Sequence, residues 1–395
     1  MAEVLVELGI AFTVLAIAGA LAARLDQSVI PAYILAGVVV GPNPPHSLGP
    51  VDLTLVSRWQ ILDVGAELGV VFLLFFLGLE FSPDRLLARP TRLLGVGATD
   101  FLVNFGVGAA IAALFGFPLL TALFLASIVY ISSSAVVTKS LVERGWIADP
   151  ESDVILGTLV FEDLLIAVVL AVLTAVALGG GGVGAVLASV GTAAAFLLVL
   201  AAVAVYGTPY VERLLSVEAD ELFLLFAVGI TTLVAGEALV LGVSEAVAAF
   251  FVGIAFGQTD HAERLETVVG PTRDLFAAVF FFTIGLSTDV TTFLDVGLLL
   301  VVAVVATGLS KVASGLLGGR FYGLNRRRSL RVGVGLVPRG EFSLVIASLA
   351  TTAGATIPRT DELASFTVGY VLVMSVLGTV AMRYADEFTA FTGGE

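Results

Sequence analysis

Glu162 and Asp163 stand side by side in LGTLVFEDLLIAVVLAVL, Leu156 to Leu173, an otherwise apolar run of helical length. A carboxylate at the middle of a bilayer costs about 2.5 to 3.5 kcal/mol on insertion scales, so two adjacent acids there mark an ion site. A hard monovalent cation prefers oxygen ligands, which a carboxylate, backbone carbonyls and serine or threonine hydroxyls supply. Burial disfavours the charged form of a carboxylate, so one such group can hold a proton and a cation in turn. The plainer alternative is an acid that caps or pairs within a helix bundle and does no chemistry.

Two further stretches carry polar groups inside apolar spans: Ser132-Ser133-Ser134 in SIVYISSSAVVTKSL, and Arg339-Gly340-Glu341 in GVGLVPRGEFSLVIASL. Pro338 removes a backbone donor and disfavours helix at the residue before it, and Gly340 weakens helix, so the second span should break near Val337 to Gly340. A broken helix leaves unpaired carbonyls and amides with opposed dipole ends, a field that buried charges must balance. Glu341, Lys311 and Arg339 are candidates for that balance. The three serines are either cation-coordinating hydroxyls or ordinary interhelical hydrogen-bond formers.

The elements that position these groups follow from composition. Of 395 residues, 58% are hydrophobic and 13% charged, with mean hydropathy +1.07, which excludes an ordinary soluble domain and indicates an all-α polytopic membrane protein. Apolar runs of helical length divide the chain into roughly thirteen transmembrane helices. They fall near 4–23, 29–45, 61–81, 93–116, 119–141, 153–178, 185–206, 220–237, 239–258, 274–288, 293–317, 331–353 and 365–384. No cleavable signal precedes Val4, so the first run is read as a span. With the N-terminus outside, inside loops collect most arginines, among them Arg89, Arg144, Arg264 and Arg326 to Arg328, whereas outside loops collect Arg58 and Arg359. This places the C-terminus in the cytoplasm.

The net charge of −14 argues against a nucleic-acid partner, and lipid is the surrounding solvent. There is no Cys, hence no disulfide or thiolate site, and His46 and His261 are expected to be solvated in loops. Acidic loops such as Glu218-Ala219-Asp220-Glu221, with Lys only at 139 and 311, suggest a prokaryotic, high-salt, haloarchaeal source. Glu67, Asp100, Asn104, Lys139 and Glu245 also sit on spans; without charged neighbours in sequence they are assigned to helix packing, with Lys139 reaching toward an interface.

GVVFLLFFLGLEFSPD at Gly69 to Asp84 returns as AAVFFFTIGLSTD at Ala277 to Asp289, about 207 residues on. AGVVVGP at Ala36 to Pro42 likewise matches VGIAFGQ at Val252 to Gln258. The repeated spans run in opposite directions, which indicates inverted halves, and broken helices at corresponding places in such halves point to a midplane transport site.

These stretches, in order through IPAYILAGVVVGP, GVVFLLFFLGLE, SSSAVVTKSL, LVFEDLL, FFFTIGL, Lys311 and RGEFSLVIA, resemble the monovalent cation:proton antiporter-2 family across nearly the whole chain. The resemblance implies the sodium/proton antiporter fold: a core with two crossed discontinuous helices, near 61–178 and 274–384, and a dimerisation scaffold near 4–45 and 185–258. It implies a secondary antiporter of the plasma membrane, not an enzyme, exchanging Na+ or K+ for H+ by alternating access without a cofactor. It matches Asp163 to the ion-binding and proton-carrying aspartate and Lys311 to the lysine before the second broken helix. A homodimer and a separate soluble regulatory subunit are the candidate partners. Glu162 departs from the commonest residues at its position, Asp in many sodium exchangers and Gln in glutathione-gated potassium systems. The chain also stops after its last span, without the nucleotide-binding regulatory domain of many potassium-efflux members.

Consecutive helix residues point about 100° apart, so one of the two acids is turned toward another partner, for which Lys311 is the candidate. If cation binding at Asp163 loosens a Glu162 to Lys311 pair, exchange carries net charge; if the pair is structural, exchange is electroneutral. Two rivals remain. A cation channel also places acids in membranes, although inverted broken helices favour exchange. An intramembrane aspartyl protease needs a second aspartate at matching depth, for which only Asp100 is available, and its Gly-x-Gly-Asp pattern is missing.

Overall fold

A computed structural model describes residues 2–25, 27–43, 47–48, 51–52, 54–56, 60–80, 90–146, 149–178, 206–241, 245–352 and 357–385, with residues 191, 195, 196, 198–200, 202 and 203. The chain is built from helices, as a lipid-embedded backbone must be to satisfy its own hydrogen bonds. In order they are α1 Ala2–Arg24, α2 Val29–Val40, α3 Gln60–Glu80, α4 Pro90–Leu114, α5 Leu119–Tyr130, α6 Ser134–Glu143, α7 Pro150–Leu178 and α8 Thr208–Leu215. There follow α9 Asp220–Val240, α10 Glu245–Gly257, α11 Ala262–Ser287, α12 Gly297–Phe321, α13 Arg326–Gly335, α14 Glu341–Thr352 and α15 Thr360–Arg383. A short antiparallel ladder joins Ser47–Leu48 to Val51–Asp52, and a 3₁₀ turn spans Val290–Phe293.

Among the described residues seven helices are long and apolar enough to cross a membrane, and α2, α5, α10 and α14 are shorter apolar helices. The seventh expected span, 185–206, lies largely outside the described residues, as does His46. The tenth, expected from 274, begins at Ala262: the polar stretch Ala262 to Asp274 is helical and carries Pro271 inside the helix. Hydropathy marks the apolar part of a helix and not its polar extension. His261 is not simply solvated, since its Nε2 lies 3.1 Å from Glu212 Oε1 and its ring meets Phe223 edge-on.

Two of the expected spans are each split into half-helices. The second break falls where Pro338 and Gly340 demand it, between α13 and α14. The first, at Ile131 to Ser133 between α5 and α6, contains neither residue. There the backbone turns extended at Ile131, and Ser133 Oγ accepts a hydrogen bond from Val136 N, capping α6. The two linkers meet, with Ser133 N donating to the Pro338 carbonyl at 2.9 Å. A side chain at Gly340 would run into Ser133 Oγ, so this approach requires glycine.

The chain divides into two compact units. One comprises Met1–Ser57, Arg85–Ile166 and Ile284–Glu395; the other comprises Arg58–Asp84 and Ala167–Thr283. This grouping differs from the expected one, because it puts 4–45 with the elements that carry the polar clusters and α3 with residues 167–283. The repeated glycines give the reason. In the second unit, Cβ atoms at Gly78 and Gly253 would strike the Phe250 and Phe75 carbonyls, so α3 and α10 pack backbone to backbone. In the first unit, Gly285 at the end of α11 meets the Ile34 carbonyl and Gly37 of α2 in the same manner. Each Gly-Leu motif therefore packs on the small-residue stripe of the opposite half of the sequence, a packing that small residues permit.

A Cβ at Gly253 has no room, whereas one at Gly229 of α9 meets nothing within 4 Å. Gly253→Ala is expected to destabilise by about 1–3 kcal/mol through overpacking. Gly229→Ala should be neutral or slightly stabilising, as Ala is in a helix interior. Unfolding midpoints in detergent check both.

Candidate functional site

The polar clusters all lie in the first unit, where α5 and α13 end and α6 and α14 begin. Helix C-termini present unpaired carbonyls and N-termini unpaired amides, with partial charges to match. Arg339 is fully buried among the carbonyl ends. Its Nη1 donates to the carbonyls of Leu336 at 2.8 Å and Val337 at 2.9 Å, beyond the end of α13, and its Nε donates to Val129 of α5 at 3.1 Å. One guanidinium thus serves the C-terminal ends of both half-helices, a use suited to its planar fork of donors.

The amide ends are met by acids. Glu162 Oε2 accepts from the backbone N of Ser132 at 2.6 Å, just ahead of α6. Glu341 is the first residue of α14, and its Oε2 accepts from Ser133 Oγ at 2.8 Å. Asp163, only 6% exposed, lies with Oδ2 3.0 Å from Ser134 Oγ. Ser132 Oγ lies 2.9 Å from the Leu336 carbonyl and 3.1 Å from Glu162 Oε1, and its single proton serves one of them at a time. Three consecutive serines therefore address three different carboxylates, because the extended backbone at the break turns successive side chains in different directions.

Lys311 of α12 is fully buried and donates from Nζ to Glu162 Oε1 and to Asp100 Oδ2, each at 2.7 Å. Asp100 Oδ1 accepts from Ser314 Oγ at 2.7 Å and from Asn104 Nδ2 at 2.8 Å, and Ser310 Oγ donates to Asn104 Oδ1 at 2.6 Å. The Lys311 ammonium also sits 5.1 Å from the centroid of the Tyr130 ring, a cation–π contact. The helix α4 places Asp100 and Asn104 four residues apart, on one face; α12 does the same for Ser310 and Ser314. The structure thus joins Glu162 to Lys311 and gives Lys311 a second carboxylate.

Asp100 and Asn104 were expected only to pack helices, and here they form the far wall of the Lys311 cluster. Polar residues at helical spacing on an apolar span, Asp100 with Asn104 and Ser310 with Ser314, are the signal that could have found them. The side chain of Lys139 lies outside the described residues. Where α6 and α7 connect, Glu151 is fully buried with Oε1 2.7 Å from Arg331 Nη1, and the Arg331 guanidinium lies 4.6 Å from the Trp146 ring. This contact ties the start of α7, which carries Glu162 and Asp163, to α13.

Broken helices meeting end to end, with buried acids and a lysine at the junction, are the build of a membrane-embedded secondary transporter. The chain belongs to the sodium/hydrogen exchanger family, whose transmembrane domain matches residues 10–383. It is 36% identical over 385 residues to the K(+)/H(+) antiporter subunit KhtU of Bacillus subtilis, covering 97% of this chain and 94% of that one. It is 31% identical to the ammonium/H(+) antiporter subunit AmhT of Alkalihalophilus pseudofirmus, over 96% and 92% of the two chains. The fold is that of the sodium proton antiporter MjNhaP1 from Methanocaldococcus jannaschii, with a TM-score of 0.73 over 98% of this chain and 99% of that one at 14% identity. The protein is accordingly membrane-spanning.

Lys311→Met leaves two buried carboxylates facing each other without their cation, which is expected to cost about 3–5 kcal/mol. Adding Glu162→Gln and Asp100→Asn to that variant should recover much of the loss. Unfolding midpoints of the single and triple variants in detergent test this.

Proposed function

We propose that the chain is a secondary antiporter exchanging a monovalent cation for H+ by alternating access, with Asp163 holding proton and cation in turn. The observation that carries this reading is the position of Asp163. Its carboxylate meets the hydroxyl of Ser134 at the start of α6, one residue from Glu162, which is already engaged by Lys311 and by the backbone of Ser132. Oxygen donors beside a carboxylate suit a hard cation, and a proton competes for the same oxygens. Because one group serves both ions, each crossing carries one or the other.

The remaining groups have supporting roles under this reading. Arg339 and Glu341 balance the broken-helix ends, Glu162 and Lys311 form the fixed charge beside the exchanging one, and Ser132, Ser133 and Ser134 orient the acids. Asp100, held by Lys311 and Ser314, is assigned to that cluster, which gives no support to its reading as a second catalytic aspartate for proteolysis. K+ is the first cation to test, since a relative at 36% identity is named a K(+)/H(+) antiporter subunit; ammonium and Na+ follow. The word subunit in both bacterial names supports a separate regulatory chain as partner, and the family resemblance supports a homodimer. The arginine distribution supports a plasma-membrane orientation with the N-terminus outside and the C-terminus in the cytoplasm, and the net charge of −14 supports a prokaryote of saline habitat.

Asp163→Asn keeps the shape of the side chain but cannot ionise. In proteoliposomes it should abolish cation-driven proton movement while the protein still inserts and unfolds cooperatively; wild-type rates would remove Asp163 from the mechanism. For orientation, single cysteines placed near Arg89 and Arg327 should resist an impermeant thiol reagent in right-side-out vesicles, and one near Ser47 should react. The reverse labelling would invert the arrangement. With no native Cys, the background is clean.

A further inference from the structure

Tyr130, the last residue of α5, is fully buried, yet among the described residues its hydroxyl has no hydrogen-bond partner. A buried phenol normally finds one, because leaving it unsatisfied forfeits its hydration without replacement. The ring cannot readily turn to look for a partner. Lys311 Nζ lies over it, 5.1 Å from its centroid, and Phe101 packs against it edge-on at 5.3 Å. The backbone on both sides is held too: the Val129 carbonyl by Arg339, Ile131 N by the Ser127 carbonyl and Ser132 N by Glu162. Acids surround this position: the Lys311 Nζ over the ring lies 2.7 Å from both Glu162 Oε1 and Asp100 Oδ2, and Ser134, four residues on, meets Asp163 at 3.0 Å. Its hydroxyl is therefore a fixed, buried oxygen beside the acidic cluster that meets no hydrogen-bond partner among the described residues.

We propose that the Tyr130 hydroxyl is a ligand of the transported monovalent cation, directly or through one water of the ion's shell, when the ion is at Asp163. The assignment rests on the antiporter reading above. A phenol oxygen keeps lone pairs for a cation while its O–H remains free to donate to a carboxylate, so it replaces part of the hydration that the ion gives up on entering. Arg339 Nη2 is also without a partner among the described residues, but a guanidinium only donates and repels a cation. Thr231 Oγ1, unpartnered and buried in α9, belongs to the unit that holds none of the acids of this site. Of these groups, Tyr130 alone combines an acceptor, fixed geometry and neighbouring carboxylates.

Tyr130→Phe removes the oxygen and keeps the ring against Lys311 and Phe101. In proteoliposomes with an imposed pH gradient, the apparent KM for K+ should rise roughly tenfold, with the maximal rate nearly unchanged, as expected when a ligand contact to a charged group is lost. Stabilisation by K+ provides a second readout independent of turnover: the variant should need about tenfold more K+ for the same rise in unfolding midpoint. Tyr130→Leu, which also removes the ring, controls for packing. A wild-type KM and a wild-type stabilisation curve for Tyr130→Phe would overturn the assignment. If K+ stabilises wild type, the curve shifts in Tyr130→Phe, and neither protein moves protons, the ligand stands and the antiporter reading falls.

Discussion

Four helix ends brought together inside a membrane protein are the constraint from which the rest of the first unit follows. Each end exposes backbone groups that water would ordinarily satisfy, and in a low-dielectric interior each must meet a partner of opposite sign. Arg339 takes the carbonyl ends of α5 and α13, and Glu162 and Glu341 sit at the amide ends of α6 and α14. A buried arginine or glutamate is costly alone, so the charges and the breaks require one another. Removing the breaks would strand the charges, and removing the charges would leave the breaks unsolvated.

That mutual requirement explains why the surroundings are so closely packed. Gly340 lets the second linker approach Ser133, and Gly378 of α15 leaves space for Pro338, so the junction is held by backbone contact. A linker free to drift by an ångström would misplace Arg339 relative to carbonyls that it reaches at 2.8 to 3.1 Å. Close packing of helix against helix through glycine is how membrane proteins obtain such rigidity without a hydrophobic drive between helices.

What was legible in the chain divides along physical lines. Charges buried in apolar runs were visible because their cost is local: Glu162, Asp163, Lys311, Arg339 and Glu341 announced themselves by position alone. The break at Pro338 was equally local. The break at Ser132 was not, since serine neither forbids helix nor demands a turn, and only the cap from Ser133 to Val136 reveals its effect. Asp100 was harder to place because its partner Lys311 is 211 residues away: its helical spacing with Asn104 marks a polar face on the span but does not name the helix that face will meet. The packing partners of the glycine motifs were not legible for the same reason: a stripe of small residues does not name the helix it will receive.

A glutamate at position 162 suits the same geometry. Its two oxygens have separate duties: Oε2 accepts from the Ser132 amide and Oε1 from the Lys311 ammonium. An amide side chain would offer one oxygen and one N–H, and so would set a donor against a donor at either the helix end or the lysine. Aspartate keeps both acceptors but is shorter by one methylene, so its reach would have to be recovered by moving α7 toward the break. The longer acid lets the backbone of α7 stay where Asp163 meets Ser134, with the neighbouring side chain extended across the junction. The two adjacent carboxylates thus differ in surroundings as they differ in length: the long one is held between a helix end and a lysine, and the short one meets Ser134 at the start of α6.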